Sequence, residues 1–327
     1  MTSSRPPFPV VESTLASDAL AALVQYRYDL AAPIVCTFIK RGTNDTYLIT
    51  SGDAERSILR VYPHGWRTRE QIEEELDSLD HLHAAGLSVS HAIRSRTGDR
   101  IQTVTAPEGG RDVVLFSSAP GDFGTFDDAH LFALGKELAE LHARSSGMEP
   151  LKNRPVLDVS HLLSDPVSRS NSAFLREVML KIEDAIKGLP RRGPEFGFCH
   201  GDFGGFNTHV DGNGRQTHFD FDFCGFGWRA YDLAVFLWSR HKICSSDDAQ
   251  KHWRIFRQGY ESRRKLSEPE NRSIPYFVLC REIFIMGVAL QNMNRFPRRP
   301  NEDPVADCAD FVRRWIDDHI SAGETLP

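Results

Sequence analysis

No segment of this 327-residue chain repeats, and none is of low complexity. Its longest uninterrupted apolar run, IFIMGVAL at 283–290, is far short of the roughly 20 residues that cross a bilayer. The opening MTSSRPPFPVVEST has no apolar h-region, which argues against a secretory signal. Cysteine is sparse. The six residues (36, 199, 224, 244, 280 and 308) include no CxxC pair, so neither a zinc framework nor a disulfide scaffold is expected. Buried free thiols in a reducing compartment fit better, and cytoplasm is the expected location. A basic excess is missing too: 39 Lys and Arg stand against 45 Asp and Glu, for a net charge of −6. That balance gives no electrostatic case for a nucleic-acid or anionic-membrane partner. What remains is a globular chain of ordinary composition, 40% hydrophobic and 26% charged, long enough for one large domain or two modest ones.

The first third reads as strands with one helix inserted. IVCTFIK (34–40), DTYLIT (45–50) and SILRVY (57–62) are short and rich in β-branched and aromatic residues, with Gly-containing turns between them. The helix runs through TREQIEEELDSLDHLHAAG, with Thr68 and Gln71 as a capping box and Gly86 as its stop. Ile72, Leu76, Leu79 and Leu82 share one face. Further strands are expected near 89–95, 100–105 and 112–117, and SSAPGDFG (117–124) reads as a linker. Helices then dominate: 125–147, 172–187, 229–240, 247–265, 277–294 and 304–320, interrupted by one β-rich stretch at 208–221. The expectation is an α+β protein of two lobes, a β-rich one over 1–118 and a larger, mostly helical one over 119–327.

FCHGDFGGFN, at 198–207, mixes polar groups with aromatics in a way that neither a core strand nor a surface loop requires. His200, Asp202 and Asn207 follow the spacing H-x-D-x-x-x-x-N of a kinase catalytic loop, in which Asp takes the acceptor proton and Asn binds a metal ion. The D-G-N-G at 211–214 is a hairpin turn. Folding there pairs 207 with about 218, which brings Asn207 and Asp220 to the open end of the hairpin. An amide oxygen beside a carboxylate is a hard-oxygen pair suited to Mg2+ on nucleotide phosphates.

The whole stretch FCHGDFGGFNTHVDGNGRQTHFDFDFCGFGWRAYDLAVFLW resembles the signature region of the aminoglycoside phosphotransferase/choline kinase-like family. That group also holds homoserine, methylthioribose and hydroxylysine kinases and the bacterial stress-response kinase, to whose branch the FDFD and GWRAYDLA segments are closest. The resemblance implies a protein-kinase-like fold, ATP as co-substrate with Mg2+, and a hydroxyl-bearing acceptor, either a small amino-bearing molecule or a protein Ser/Thr. It implies Asp202 as catalytic base, Asn207 and Asp220 as Mg2+ ligands, His200 as a structural residue and Asp222 as a second acid. It also implies Asp232 of YDLA as a buried support for the loop. In SILRVYP the residue in place of the family's phosphate-contacting Lys is Arg60, with Glu75, or else Glu74, as its ion-pair partner. LFSSAPGD is similar to the family hinge, so the Ser117 carbonyl and the Ala119 amide are expected at the adenine edge. The acceptor site is expected in 235–295, whose acids include Asp247, Asp248, Glu261 and Glu282.

Other readings stand beside these. His200, Asp202, His209, His218 and Asp220 could ligate the metal of a hydrolase, and the Arg for Lys exchange at position 60 allows a catalytically weak binding module. Phe203, Phe206, Phe219 and Phe221 are expected to pack the loop from beneath. Trp228, Trp238 and Trp253 are expected between helices, and His83, His142 and His161 receive no role.

Overall fold

The computed structural model describes residues 8–52, 54–296 and 302–320. Alternating apolar residues between 35 and 117 become a five-stranded antiparallel sheet. Its strands are β1 (Val35–Arg41), β2 (Asp45–Thr50), β3 (Arg56–Val61), β4 (Ile101–Ala106) and β5 (Gly109–Ser117), in the order β1-β2-β3-β5-β4. Ahead of them lies α1 (Ser17–Arg27), a helix the one-helix reading missed. Leu20 and Val24 lie on one face of α1 and join Tyr47, Ile49, Leu59, Val61 and Leu115 in a core. The expected strand at 89–95 does not form: only an isolated bridge, Ala92 to Phe116, extends the sheet there. α2 (Arg69–Ala84) keeps Ile72, Leu76, Leu79 and Leu82 fully buried, and Thr68 and Gln71 exchange the capping-box bonds.

Two compact units result, Met1–Asp80 with Ser90–Ser118, and His81–Val89 with Ala119–Pro327. The short segment before Ser90 belongs to the second because the Ser88 carbonyl accepts the His218 amide at 2.9 Å and the Ser88 hydroxyl meets that of Thr217 at 2.8 Å.

The second unit is helical. Within the expected linker, β6 (Asp122–Phe123) pairs with a later strand, and Asp127 caps α3 (Asp128–Arg144) by accepting the His130 amide. α4 (Asp165–Ser170) and α5 (Ala173–Ile186) follow. Two four-residue strands not foreseen, β7 (Phe196–Cys199) and β10 (Gly225–Trp228), pair with each other; Gly at three of their positions hid them. Between them the D-G-N-G turn closes β8 (Thr208–Val210) on β9 (Gln216–His218), with Thr208 opposite His218. Then come α6 (Ala230–Ile243), α7 (Ser246–Glu261), α8 (Glu268–Gln291) and α9 (Pro304–His319).

α3 and α7 cross where Gly135 faces Gly259. A Cβ at Gly135 would fall 1.9 Å from the Phe256 carbonyl oxygen, and one at Gly259 would fall 2.0 Å from that of Phe132. α8 begins nine residues earlier than expected, because Pro269 occupies the first turn and Pro275 is absorbed inside the helix. By length and composition α8 could cross a membrane, yet 72% of its apolar window is buried inside the protein, where it packs on α6, α4 and α9.

Candidate active site

The His200–Asn207 loop begins where β7 ends, and it hangs on the first turn of α6. Asp232 there accepts two consecutive amides: His200 N–H on Oδ2 and Gly201 N–H on Oδ1, each at 2.8 Å. This is the support role expected of Asp232. Oδ2 also accepts from His142 Nε2 at 3.1 Å, and the Tyr260 hydroxyl lies 2.9 Å from His142 Nδ1. His142, given no role from sequence, thus anchors the loop's anchor, and the α3–α7 crossing puts it there. Gly201 is obligatory: its φ is +78°, and a Cβ would sit 2.1 Å from the Phe223 carbonyl oxygen.

His200 accepts the Asp202 amide on Nδ1 at 3.2 Å, so its proton is on Nε2, 3.2 Å from the Phe219 carbonyl it serves. The ring is neutral and structural. Burial holds both His200 and His142 down at about 4. Unfolded, each titrates near 6.5, so the unfolded chain binds protons that the native chain refuses between those values. Stability is therefore full above about 6.5 and falls as pH drops toward 4, by about 1.4 kcal/mol per pH unit for each ring at its steepest. Urea midpoints at pH 7 and pH 5 check this; equal midpoints would mean the rings are charged in the fold.

Asn207 ends the loop. Its Nδ2 donates to the Asp202 backbone carbonyl and to Asp202 Oδ2, both at 2.9 Å, which leaves the amide oxygen outside those bonds. Across the hairpin the Phe219 amide donates to the Asn207 carbonyl at 3.0 Å, one residue off the expected register, and Asp220 follows directly. Asp220 holds φ +64°, a left-handed conformation that costs a non-glycine residue free energy, though Asp tolerates it better than most. Asp202, Asn207 and Asp220 therefore lie on one hairpin and its loop.

The turn after Asp220 is clamped by Arg154, whose Nε donates to the Cys224 carbonyl at 3.0 Å and whose Nη2 donates to the Asp222 carbonyl. Asp222 is buried. Arg281 of α8, read from sequence only as part of a packing helix, donates from Nη1 to the Gly201 carbonyl at 2.9 Å and from Nη2 to Asp202 Oδ1. Burial pushes the Asp202 carboxyl up, against the downward pull of Arg281 and Asn207; 29% of its side chain still meets solvent.

Of the four phenylalanines, Phe203 and Phe221 are core and Phe219 is half-buried, but Phe206 is 53% exposed. Instead of packing beneath the loop it stands beside Phe126, and the Arg240 guanidinium carbon lies 4.0 Å from the Phe126 ring centre. Trp228 and Trp253 are buried, and Trp238 is half-buried.

In the first unit, Arg60 Nη1 meets Glu75 Oε1 at 2.7 Å, which settles the partner as Glu75, a fully buried carboxylate. The Tyr62 hydroxyl donates to the same carboxylate at 3.3 Å, and Arg60 lies over the Phe116 ring. The Ser117 carbonyl accepts the Ser90 hydroxyl, so one lone pair is committed. In the second unit the Ala119 carbonyl lies 3.0 Å from His209 Nδ1.

The histidine-rich metal set does not assemble. His200 spends both nitrogens on backbone, His218 Nδ1 is bound to the Thr208 hydroxyl at 2.9 Å, and His209 bonds Ala119. Among the described residues the cluster His142, Cys199 and Asp232 has metal-like spacing. Its carboxylate is committed to two amides and His142, and burial pushes the Cys199 thiol well up, so it stays protonated. Of the acids in the expected acceptor region, Asp248 accepts the Ser245 hydroxyl at 2.7 Å, Glu261 pairs with Arg257 at 3.4 Å, and Glu282 pairs with Lys242 at 3.1 Å.

A β-sheet unit with a buried Arg–Glu pair, and a helical unit whose loop holds an Asp through an Asn five residues on, together define a kinase-like phosphotransferase class. The phosphotransferase enzyme family matches residues 35–266, and the chain belongs to that family. An uncharacterized protein of Deinococcus radiodurans is 32% identical over 324 residues, covering 95% of this chain and 93% of that one. Among solved structures, the microcompartment-associated aminopropanol kinase superposes with a TM-score of 0.76 at 25% identity, covering 95% of this chain and 99% of that one. An amicoumacin kinase in complex with AMP-PNP, Ca2+ and Ami superposes with a TM-score of 0.72 at 20% identity, covering 96% of each chain.

Proposed function

We propose that this chain transfers the γ-phosphate of ATP, with Mg2+, to a hydroxyl of a small amino-bearing molecule, Asp202 being the base. The observation that carries the reading is the bond from Asn207 Nδ2 to Asp202 Oδ2 at 2.9 Å, on the same hairpin that carries Asp220. With its NH2 spent on Asp202, the Asn207 side chain offers a cation only its oxygen; the Asp220 carboxylate is the second hard donor, so the residues fit Mg2+. When bound there, the ion would neutralise phosphate charge.

Asp202 orients the acceptor hydroxyl and takes its proton as the oxygen attacks the γ-phosphorus. The bond from that phosphorus to the β–γ bridging oxygen breaks, ADP leaves, and the proton returns to solvent. The transition state is loose, so positioning and charge supply most of the acceleration. Arg60, held by Glu75, offers positive charge to the α- and β-phosphates, and Ser117 and Ala119 offer backbone atoms to adenine. An amino alcohol acceptor is supported by the likeness to the aminopropanol kinase.

ADP release across amino alcohols, homoserine, choline, aminoglycosides and a generic protein substrate tests the acceptor. Turnover with a small alcohol is expected. Phosphate on the protein substrate alone would make the chain a Ser/Thr protein kinase, and ATP binding with no turnover would make it a binding module.

Asp220→Asn keeps the left-handed backbone, because Asn tolerates it as Asp does, and removes only the charge. It is expected to abolish the Mg2+-dependent part of the ATP thermal shift while moving the ligand-free melting temperature by less than about 3 °C. A full Mg2+-dependent shift in this variant would remove Asp220 from the metal site.

A further inference from the structure

Arg281 is 2% exposed and 79 residues from the aspartate it binds. The two oxygens of Asp202 each take a donor from a different element: Oδ1 from Arg281 Nη2 on α8, and Oδ2 from Asn207 Nδ2 in the loop. A second Arg281 nitrogen grips the Gly201 carbonyl at 2.9 Å, so the guanidinium spans the backbone and side chain of neighbouring loop residues. A carboxylate held at both oxygens cannot turn about its Cβ–Cγ bond without losing a bond. Even so, 29% of the Asp202 side chain meets solvent.

We propose that Arg281 is a positioning residue for Asp202, fixing the plane of the carboxylate for an acceptor hydroxyl. This rests on the reading of Asp202 as the base.

Arg281 is itself fixed by packing. Its guanidinium carbon lies 5.1 Å from the Trp238 ring centre and 5.8 Å from that of Phe223. Trp238 Nε1 in turn donates to Glu282 Oε2 at 2.5 Å, and Lys242 holds that carboxylate at 3.1 Å. Two long side chains and an indole thus brace one charge, so the entropy of ordering Arg281 is spent in folding rather than at the moment of reaction.

The electrostatics agree in direction. Burial raises Asp202, and Arg281 is the largest influence opposing it, followed by Asn207. The other groups facing the pair do not replace it. Asp232 on α6 pushes the same way as burial. The Tyr231 phenol on α6 and the Cys280 thiol on α8 are kept protonated by burial. His200 is neutral.

The test is steady-state kinetics of the full chain with an acceptor from the screen. In Arg281→Met, and in Arg281→Lys, which keeps the charge but not the fork, kcat is expected to fall at least about tenfold at unchanged ATP KM and with an unchanged Mg2+-dependent ATP thermal shift. Wild-type kcat in Arg281→Lys overturns the proposal, and so does a change confined to ATP KM; Arg281→Lys carries the test alone if Arg281→Met does not fold. Turnover surviving in Asp202→Asn would instead sink the reading of Asp202 as base. Loss of turnover there, with wild-type kcat in Arg281→Lys, sinks only the role of Arg281.

Discussion

Asp202→Asn is expected to lower kcat about a thousandfold, within the range that a positioned general base supplies. The substitution removes the proton acceptor but keeps the side chain's shape, so the amide oxygen can still meet Arg281 Nη2. Its NH2 then faces the Asn207 NH2, which now donates to Oδ2 at 2.9 Å, and one donor loses its acceptor. A loss of about 1–2 kcal/mol in stability follows, too little to unfold the chain. The Mg2+-dependent ATP thermal shift should survive, because Asp220 is unchanged and Asn207 keeps its bond to the backbone carbonyl of residue 202. Measured with an acceptor from the screen, turnover within tenfold of wild type would end the assignment of Asp202. The pH profile carries a second signature: because burial raises Asp202, activity should fade on the acid side at a higher pH than an ordinary aspartate would give.

Asp232→Ala should be the most damaging single change to the fold of the second unit. It strands the His200 and Gly201 amides and the His142 Nε2–H in a site with no exposure. Leaving several buried donors without an acceptor costs about 3–5 kcal/mol, or a fall of roughly 10 °C in melting temperature for a unit of this size. Activity should fall with it, because the start of the loop that carries Asp202 is no longer held. Urea denaturation of the variant decides: a loss below about 1 kcal/mol would show that the loop does not hang on this carboxylate.

The parts of the site that could be read in advance are those whose geometry is local. A D-G-N-G turn permits few hairpins, so the pairing of 207 with 219 came within one residue of expectation. Asn207 reaches Asp202 because it lies only five positions further along the same loop. The family resemblance pointed to Asp232 of YDLA as the loop's support and to Glu75 or Glu74 as the partner of Arg60; the structure pairs Arg60 with Glu75. Phe206 misled because an aromatic in a loop carries no periodicity to say which side it faces; the structure turns it outward beside Phe126. α1 was missed for its small size, and β7 and β10 for their glycines. Pro275 made the first part of α8 look like a break.

By itself, then, the amino-acid order determined the elements of the hairpin, the side chains its loop carries and the two-part α+β layout, because turn residues and apolar periodicity act over a few residues. Tertiary structure alone decided that Arg281 meets the loop from 80 residues away, that His142 braces Asp232 from 90 away with Tyr260 behind it, and that Arg154 clamps the turn after Asp220 from 67 away. Which face of a long buried helix meets which loop depends on how whole helices cross, as at Gly135 and Gly259, and no local spacing encodes that crossing.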